Sequence, residues 1–224
     1  MGNNHNKYFG TNKRKVLILG LACSGKTTLL RILKDSKKGT QRSLQYVPTE
    51  LFNNEAVIIP SQKGKNGSKA GASALELDLW DLGGKLPHLW VHHFTGAQGV
   101  IFVIDDLSVA CGDATKVQQI VKELINVIHG NANAPIAIIV NRKTNLAAAF
   151  EEDEDSGYRP ILDWNAWIKT HILEKISDAK RYGVKVFDTD LMKEKGLSQV
   201  NFATGESTMI TDCLAWMSDK MQAV

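Results

Sequence analysis

Cysteine is scarce in this chain and shows no pattern. Cys23, Cys111 and Cys213 are odd in number and share no CxxC spacing, which excludes a disulfide framework or a zinc site of familiar spacing and suits a reducing compartment. Net charge is also nearly missing. The 27 Lys and Arg against 24 Asp and Glu leave a formal +3, too weak to argue for nucleic acid as a partner. Long apolar runs are lacking: a stretch such as 99–104 (GVIFVI) is far short of the roughly 20 residues of a membrane-spanning helix. No apolar signal-like region stands near the N-terminus, so the expected location is cytoplasmic. What remains is an ordinary globular composition, 43% hydrophobic and 23% charged over 224 residues, enough for one domain with a substantial core. No internal repeat is visible, and the acidic run 151–155 reads as a solvated loop.

The pattern of apolar residues alternates between two periods. Residues 16–19, 56–59, 75–80, 100–104 and 135–140 read as strands, with Leu75, Leu77 and Leu79 on one face. Helices are expected over about 27–37, along the stripe Val117, Ile120, Val121, Leu124, Ile125 and Ile128, along Trp164, Ile168, Ile172 and Ile176, and over about 206–221. Residues 61–73, rich in Gly, Ser and Lys, read as a flexible loop or hairpin tip. The region 183–201 is ambiguous, with 200–202 favoured as the last strand. Alternating strands and helices predict an α/β fold of the P-loop NTPase type, a mostly parallel central sheet with helices on both faces. Such sheets bind ligands beyond the carboxyl ends of their strands.

The strongest motif is GLACSGKT at 20–27, a GxxxxGK[ST] phosphate loop lying between a strand and a helix. Gly20 and Gly25 let backbone N–H groups curl around an anion, Cys23 and Ser24 are small enough to fit, and the helix opening through Thr27 and Thr28 adds its N-terminal dipole. Lys26 reaches toward phosphate and the Thr27 hydroxyl is a magnesium ligand candidate. Downstream, WDLGG at 80–84 supplies Asp81 for the metal and the Gly84 N–H for the terminal phosphate. Thr49, in VPT at 47–49, is the candidate that completes the metal shell.

These segments resemble the Arf/Arl branch of the Ras-like small GTPases. The phosphate loop, VPT, WDLGG, LWVHHF at 89–94, QGVIFV at 98–103 and FAT at 202–204 carry the resemblance, which fades over 145–200. G-protein α subunits share some of these motifs, but the stretch from Thr27 to Thr49 cannot hold their helical domain. The resemblance implies GTP or GDP with Mg²⁺ as ligands. It also implies switch regions at 46–52 and 83–94 that meet effectors and exchange proteins, His92 and His93 as scaffold, and a guanine-reading set of Asn141, Arg142, Ala203 and Thr204. It divides the chain into a flexible segment 1–14 and a G domain 15–224 with insertions near 61–73 and 145–200.

Three departures weigh on function. Lys85 occupies the position after WDxGG where the family has the glutamine that orients water, and the span to Leu89 is short. Hydrolysis is therefore expected to be slow, because an ammonium donates but cannot accept. The NKxD motif reads Asn141, Arg142, Lys143, Thr144. Arg142 can stack on a purine, but Thr144 replaces the carboxylate that takes two charge-assisted hydrogen bonds, a loss on the order of a hundredfold in affinity. Asn145 is a candidate substitute. Finally, Gly2 permits myristoylation, though Ser or Thr is missing at position 6; Lys7, Lys13, Arg14 and Lys15 would help a peripheral membrane contact. Three functions stay open: a slow guanine-nucleotide switch, a pseudo-GTPase interaction module, and a P-loop NTPase of relaxed base choice that includes ATP.

Overall fold

The computed structural model describes residues 13–34, 52–59, 75–131, 133–151, 157–176, 183–196, 199–200 and 206–222. Six strands form one sheet in the order β2-β3-β1-β4-β5-β6. They are β1 (Lys13–Leu19), β2 (Phe52–Ile59), β3 (Leu75–Leu82), β4 (Gly99–Asp105), β5 (Ile136–Asn141) and β6 (Val184–Thr189). β2 runs antiparallel to β3, and every other pairing is parallel. The helices are α1 (Lys26–Lys34), α2 (Asp106–Ala110), α3 (Ala114–Gly130), α4 (Thr144–Glu151), α5 (Trp164–His171) and α6 (Met209–Gln222), with a 3₁₀ helix at Pro87–His93.

The central strands carry unbroken apolar runs at 16–19, 100–104 and 136–140 because both faces of the sheet are covered there. Alternate residues sort cleanly. Val16, Ile18, Ile101, Val103, Ala137 and Ile139 pack with Leu29 and Leu33 of α1 and with Ile210, Leu214 and Met217 of α6. Their neighbours Leu17, Leu19, Val100, Phe102, Ile138 and Val140 pack on the other face with Leu124 and Ile128 of α3 and Trp164 and Ile168 of α5. Helix starts follow local chemistry: the Asp113 carboxylate accepts from Lys116 N, Asp163 accepts from Ala166 N, and Thr208 and Thr211 cap one another ahead of α6. Among the described residues, no helix is long and apolar enough to cross a membrane.

Two expectations are corrected. Among the described residues the last strand is β6, and of the expected strand 200–202 only Val200 is described. Val200 lies in a bend and is buried, while β6 pairs along β5 from Ile136↔Val184 to Asn141↔Thr189. Both segments alternate apolar and polar residues; only the pairing with β5, a non-local event, chooses between them. The domain also starts earlier than residue 15, since Lys13 and Arg14 are already in register with Glu76 and Leu77 of β3. This removes part of the basic patch expected for a membrane. Lys13 faces Asp78 at 3.6 Å, and the Lys15 ammonium donates to the His93 and Thr95 carbonyls at 2.7 and 2.9 Å. Gly2, Lys7, the loop 61–73 and most of the acidic run 151–155 lie outside the described residues.

The region where the resemblance fades contributes to the core. Trp164, Ile168, Ile172 and Ile176 are all buried. Ile168→Ala should therefore lower stability by about 2–5 kcal/mol, the range for truncating a buried aliphatic side chain. Urea unfolding followed by tryptophan fluorescence would register it; a change within about 0.5 kcal/mol, as for surface positions, would mean that α5 docks too loosely to count as core.

Candidate nucleotide site

The loop between β1 and α1 is shaped by its glycines. Gly20 has φ +142°, and a Cβ there would lie 2.3 Å from the Val103 carbonyl oxygen, so no other residue lets the loop pass so close to β4. Cys23 takes φ 65° without being glycine, at a backbone cost of roughly 1–2 kcal/mol. The Lys26 side chain folds back over the loop, and its ammonium donates to the Leu21 carbonyl at 2.9 Å. Burial lowers its pKa from 10.5 to about 8, an effect that the charges of Asp81 and Cys23 oppose.

Thr27 and Asp81 meet from opposite sides of this loop. The Thr27 hydroxyl donates to Asp81 Oδ2 at 3.0 Å, and Asp81 is fully buried at the end of β3. A hydroxyl and a carboxylate side by side form the oxygen donor set of a hard divalent cation. Among the described residues, no group of three or more His, Cys, Asp or Glu forms a metal cage, and Thr27 and Asp81 are the pair that would hold a cation here. Gly84 closes the site: a Cβ on it would fall 2.5 Å from Ala22 N and from the Leu21 carbonyl carbon. Its backbone thus lies directly on the phosphate loop. Trp90 Nε1 donates to the neighbouring Gly83 carbonyl at 2.9 Å. Lys85 is exposed on the rim of a cleft of about 240 Å³ that Leu21, Ser24, Gly84, Asp105 and Lys116 also line.

On the far side, Asn141 joins three loops. Its Nδ2 donates to the Ser24 carbonyl at 3.0 Å, and its Oδ1 accepts from Leu191 N at 3.2 Å. The next two residues turn to different partners. The Arg142 guanidinium makes a bidentate pair with Asp188 at 2.7 and 2.6 Å and reaches Asp106 at 3.5 Å. The Asp188 hydrogen bonds raise its pKa further. Asp106 also accepts from Trp164 Nε1 at 3.2 Å, and burial raises its pKa despite the arginine. Lys143 takes the phosphate-loop side, donating to the Cys23 carbonyl at 3.0 Å and pairing with Asp105 at 2.9 Å. Asn145 is exposed in the first turn of α4.

The structure thus brings together Gly20, Cys23, Ser24, Gly25, Lys26, Thr27, Asp81, Gly84 and Asn141, with Thr28 following in α1. Thr49, Ala203 and Thr204 lie outside the described residues. Sequence reasoning missed Lys143, Asp190 and Leu191. Lys143 was open to detection as the motif's lysine moved one place along the chain. The other two were hidden by the misplaced last strand, which took attention away from the turn after Thr189.

A mostly parallel sheet of this order, with a glycine-lined loop after β1 and the Thr27–Asp81 oxygen pair beside it, defines the P-loop nucleotide-binding class. The sequence model of the ADP-ribosylation factor family matches residues 1–201. The E3 ubiquitin-protein ligase arc-1 of Caenorhabditis elegans is 31% identical over 137 residues, covering 59% of this chain. The chain spans only 22% of that relative's length. The protein belongs to the ADP-ribosylation factor family.

The depressed pKa of Lys26 carries a pH signature. Phosphate charges raise the pKa of the ammonium in the complex, so above about pH 8 binding must take up a proton that the free protein has lost. Affinity for GDP should be flat below about pH 7.5 and fall above about 8, by up to tenfold per unit. Calorimetry in buffers of different ionisation heat would show proton uptake near pH 8.5; zero uptake there would mean that Lys26 is not at the phosphates.

Proposed function

We propose that this protein is a guanine-nucleotide switch that holds GTP or GDP with Mg²⁺ and turns GTP over slowly. The observation that carries this reading is the Thr27–Asp81 contact, made with Gly84 lying on the phosphate loop. The parts that hold phosphate and a divalent cation are in place, whereas Lys85 stands where the family has its water-orienting glutamine. Lys26 would bind the phosphates, Thr27 and Asp81 would hold the metal, and the metal would neutralise charge on the β- and γ-oxygens. Asp81, buried and bonded to Thr27, orients the hydroxyl oxygen.

A surface for partners accompanies the switch. Phe52 of β2, Trp80 of β3 and His93 form an aromatic group with centroids 5.5 to 5.8 Å apart, and Phe52 is 51% exposed. The Lys15 ammonium lies over Trp80 at 5.1 Å. Burial, aided by the charges of Lys15 and His92, lowers the pKa of His93. The aromatic patch supports effector or exchange-factor contact through 83–94 and the β2 edge. It also sustains the second reading, an interaction module with little hydrolysis, because the patch does not depend on turnover.

Lys26→Ala should weaken GDP binding by at least about a hundredfold, from the loss of charge-assisted hydrogen bonds to phosphate, with the fold unchanged by circular dichroism. Fluorescent-nucleotide titration measures it, and wild-type affinity in the variant would sink the phosphate-site reading. In single-turnover assays, intrinsic hydrolysis should not exceed about 3–5 × 10⁻⁴ s⁻¹, the scale for Ras without its activator, and Lys85→Gln should raise it. A wild-type rate near about 1 s⁻¹ would place water positioning on another residue.

A further inference from the structure

Thr144 occupies the motif position where a carboxylate reads guanine in the family, and a hydroxyl offers a single neutral oxygen where two side-by-side donors are matched by the two oxygens of a carboxylate. A carboxylate is nevertheless present at that spot. Asp190 Oδ2 accepts from the Thr144 hydroxyl at 2.5 Å. Asp190 is the first residue after β6, and its side chain is 8% exposed. Its Oδ1 accepts from Met192 N at 3.0 Å, and Lys193 N donates to its carbonyl at 2.9 Å. The Thr189 hydroxyl donates to Glu194, so the turn is closed by its own hydrogen bonds.

The fold holds this turn beside the base-reading loop. Asn141 and Thr189 are register partners, and Arg142 N donates to the Thr189 carbonyl at 2.7 Å. One residue past Asp190, Leu191 N donates to Asn141, whose amide in turn holds Ser24 of the phosphate loop. Asp190 is therefore within one residue of the hub that anchors the nucleotide site, and it contacts the residue whose carboxylate is missing.

We infer that Asp190 is the specificity-determining carboxylate of this protein, taking the two base donors that position 144 no longer accepts, with Thr144 as its positioning residue. The inference rests on the guanine-nucleotide reading above. Guanine presents a ring N–H next to an exocyclic amine, two donors that match the two oxygens of one carboxylate. Adenine offers a bare ring nitrogen in place of that N–H. Xanthine keeps the N–H but has a carbonyl where guanine has the amine, so a carboxylate repels it while an amide suits it. The Thr144 hydroxyl, donating to Oδ2, fixes the plane in which the oxygens are offered.

The test compares dissociation constants of GDP, XDP and ADP for the full chain, Asp190→Asn and Thr144→Asp. The wild type should prefer GDP to ADP by about a hundredfold or more. Asp190→Asn should lose about a hundredfold for GDP and gain for XDP, inverting that ratio. Thr144→Asp sets a second carboxylate against the first and should weaken GDP binding; it serves as the deciding variant if Asp190→Asn does not fold. An unchanged GDP to XDP ratio in Asp190→Asn, or tighter GDP binding in Thr144→Asp, overturns the assignment. A wild type that binds GDP and ADP equally overturns it too, while leaving the phosphate site intact. A wild type that binds none of the three overturns the guanine-nucleotide reading along with it.

Discussion

One side-chain amide sets the geometry on which the site depends. Asn141 is buried at the end of β5, with its nitrogen on the Ser24 carbonyl and its oxygen on the Leu191 amide. The phosphate loop, the end of β5 and the turn after β6 are remote in sequence and share these two hydrogen bonds. Removing the amide would strand a buried donor and a buried acceptor, at about 1–3 kcal/mol each. Space enforces the same arrangement, since a Cβ on Gly25 would lie 2.5 Å from Asn141 Nδ2 and 3.1 Å from Leu191 Cδ1. The curvature of the loop, the amide and the β6 turn fit one another only as a set.

Around this hub two adjacent cations point in different directions, each toward partners suited to its shape. Arg142 offers a planar fork, and Asp188 takes it bidentately. Lys143 is a compact charge, and it divides its donors between the Cys23 carbonyl and Asp105. The first pair ties the base loop to β6 and, through Asp106, to the indole of Trp164 in α5. The second ties it to the phosphate loop. The region 145–200 is thus coupled to the nucleotide site by an ion-pair and hydrogen-bond chain as well as by packing.

The sequence was most legible where chemistry is local. The phosphate loop, the strand ahead of it and the helix stripes of α3 and α6 follow from spacing alone, because glycine, lysine and apolar period each impose a nearby geometry. Residues 77 to 84 were legible for the same reason, down to the placement of Asp81 and Gly84 beside the phosphate loop. Legibility ended where a choice was made at a distance. The segments 184–189 and 200–202 look alike as strands, and only the edge of β5 distinguishes them. That error concealed Asp190 and Leu191, since a turn cannot be recognised as a ligand loop until the strand before it is placed. The partners of Arg142 and Lys143 were not legible, because Asp188 and Asp105 lie far away in the chain.

The shortened switch segment separates two roles that the family keeps on adjacent residues. In the proposed switch, contact with the terminal phosphate would fall to the backbone of Gly84 and the handling of water to the side chain at 85, so that lysine there would remove the second role and leave the first. Shortening strengthens the first, because Pro87 begins the 3₁₀ helix with only Lys85 and Leu86 in between. Trp90 in that helix is bonded to the Gly83 carbonyl and packed edge-on against Phe102 of β4 at 6.1 Å. A displacement of Gly84 by phosphate would therefore find little slack loop in which to dissipate. It would be passed to Trp90, and with it to the turn at His93 and Thr95 that Lys15 grips beside the exposed aromatic patch. In the proposed switch, a chain built this way would lose turnover and still report, on its outer face, which nucleotide it holds.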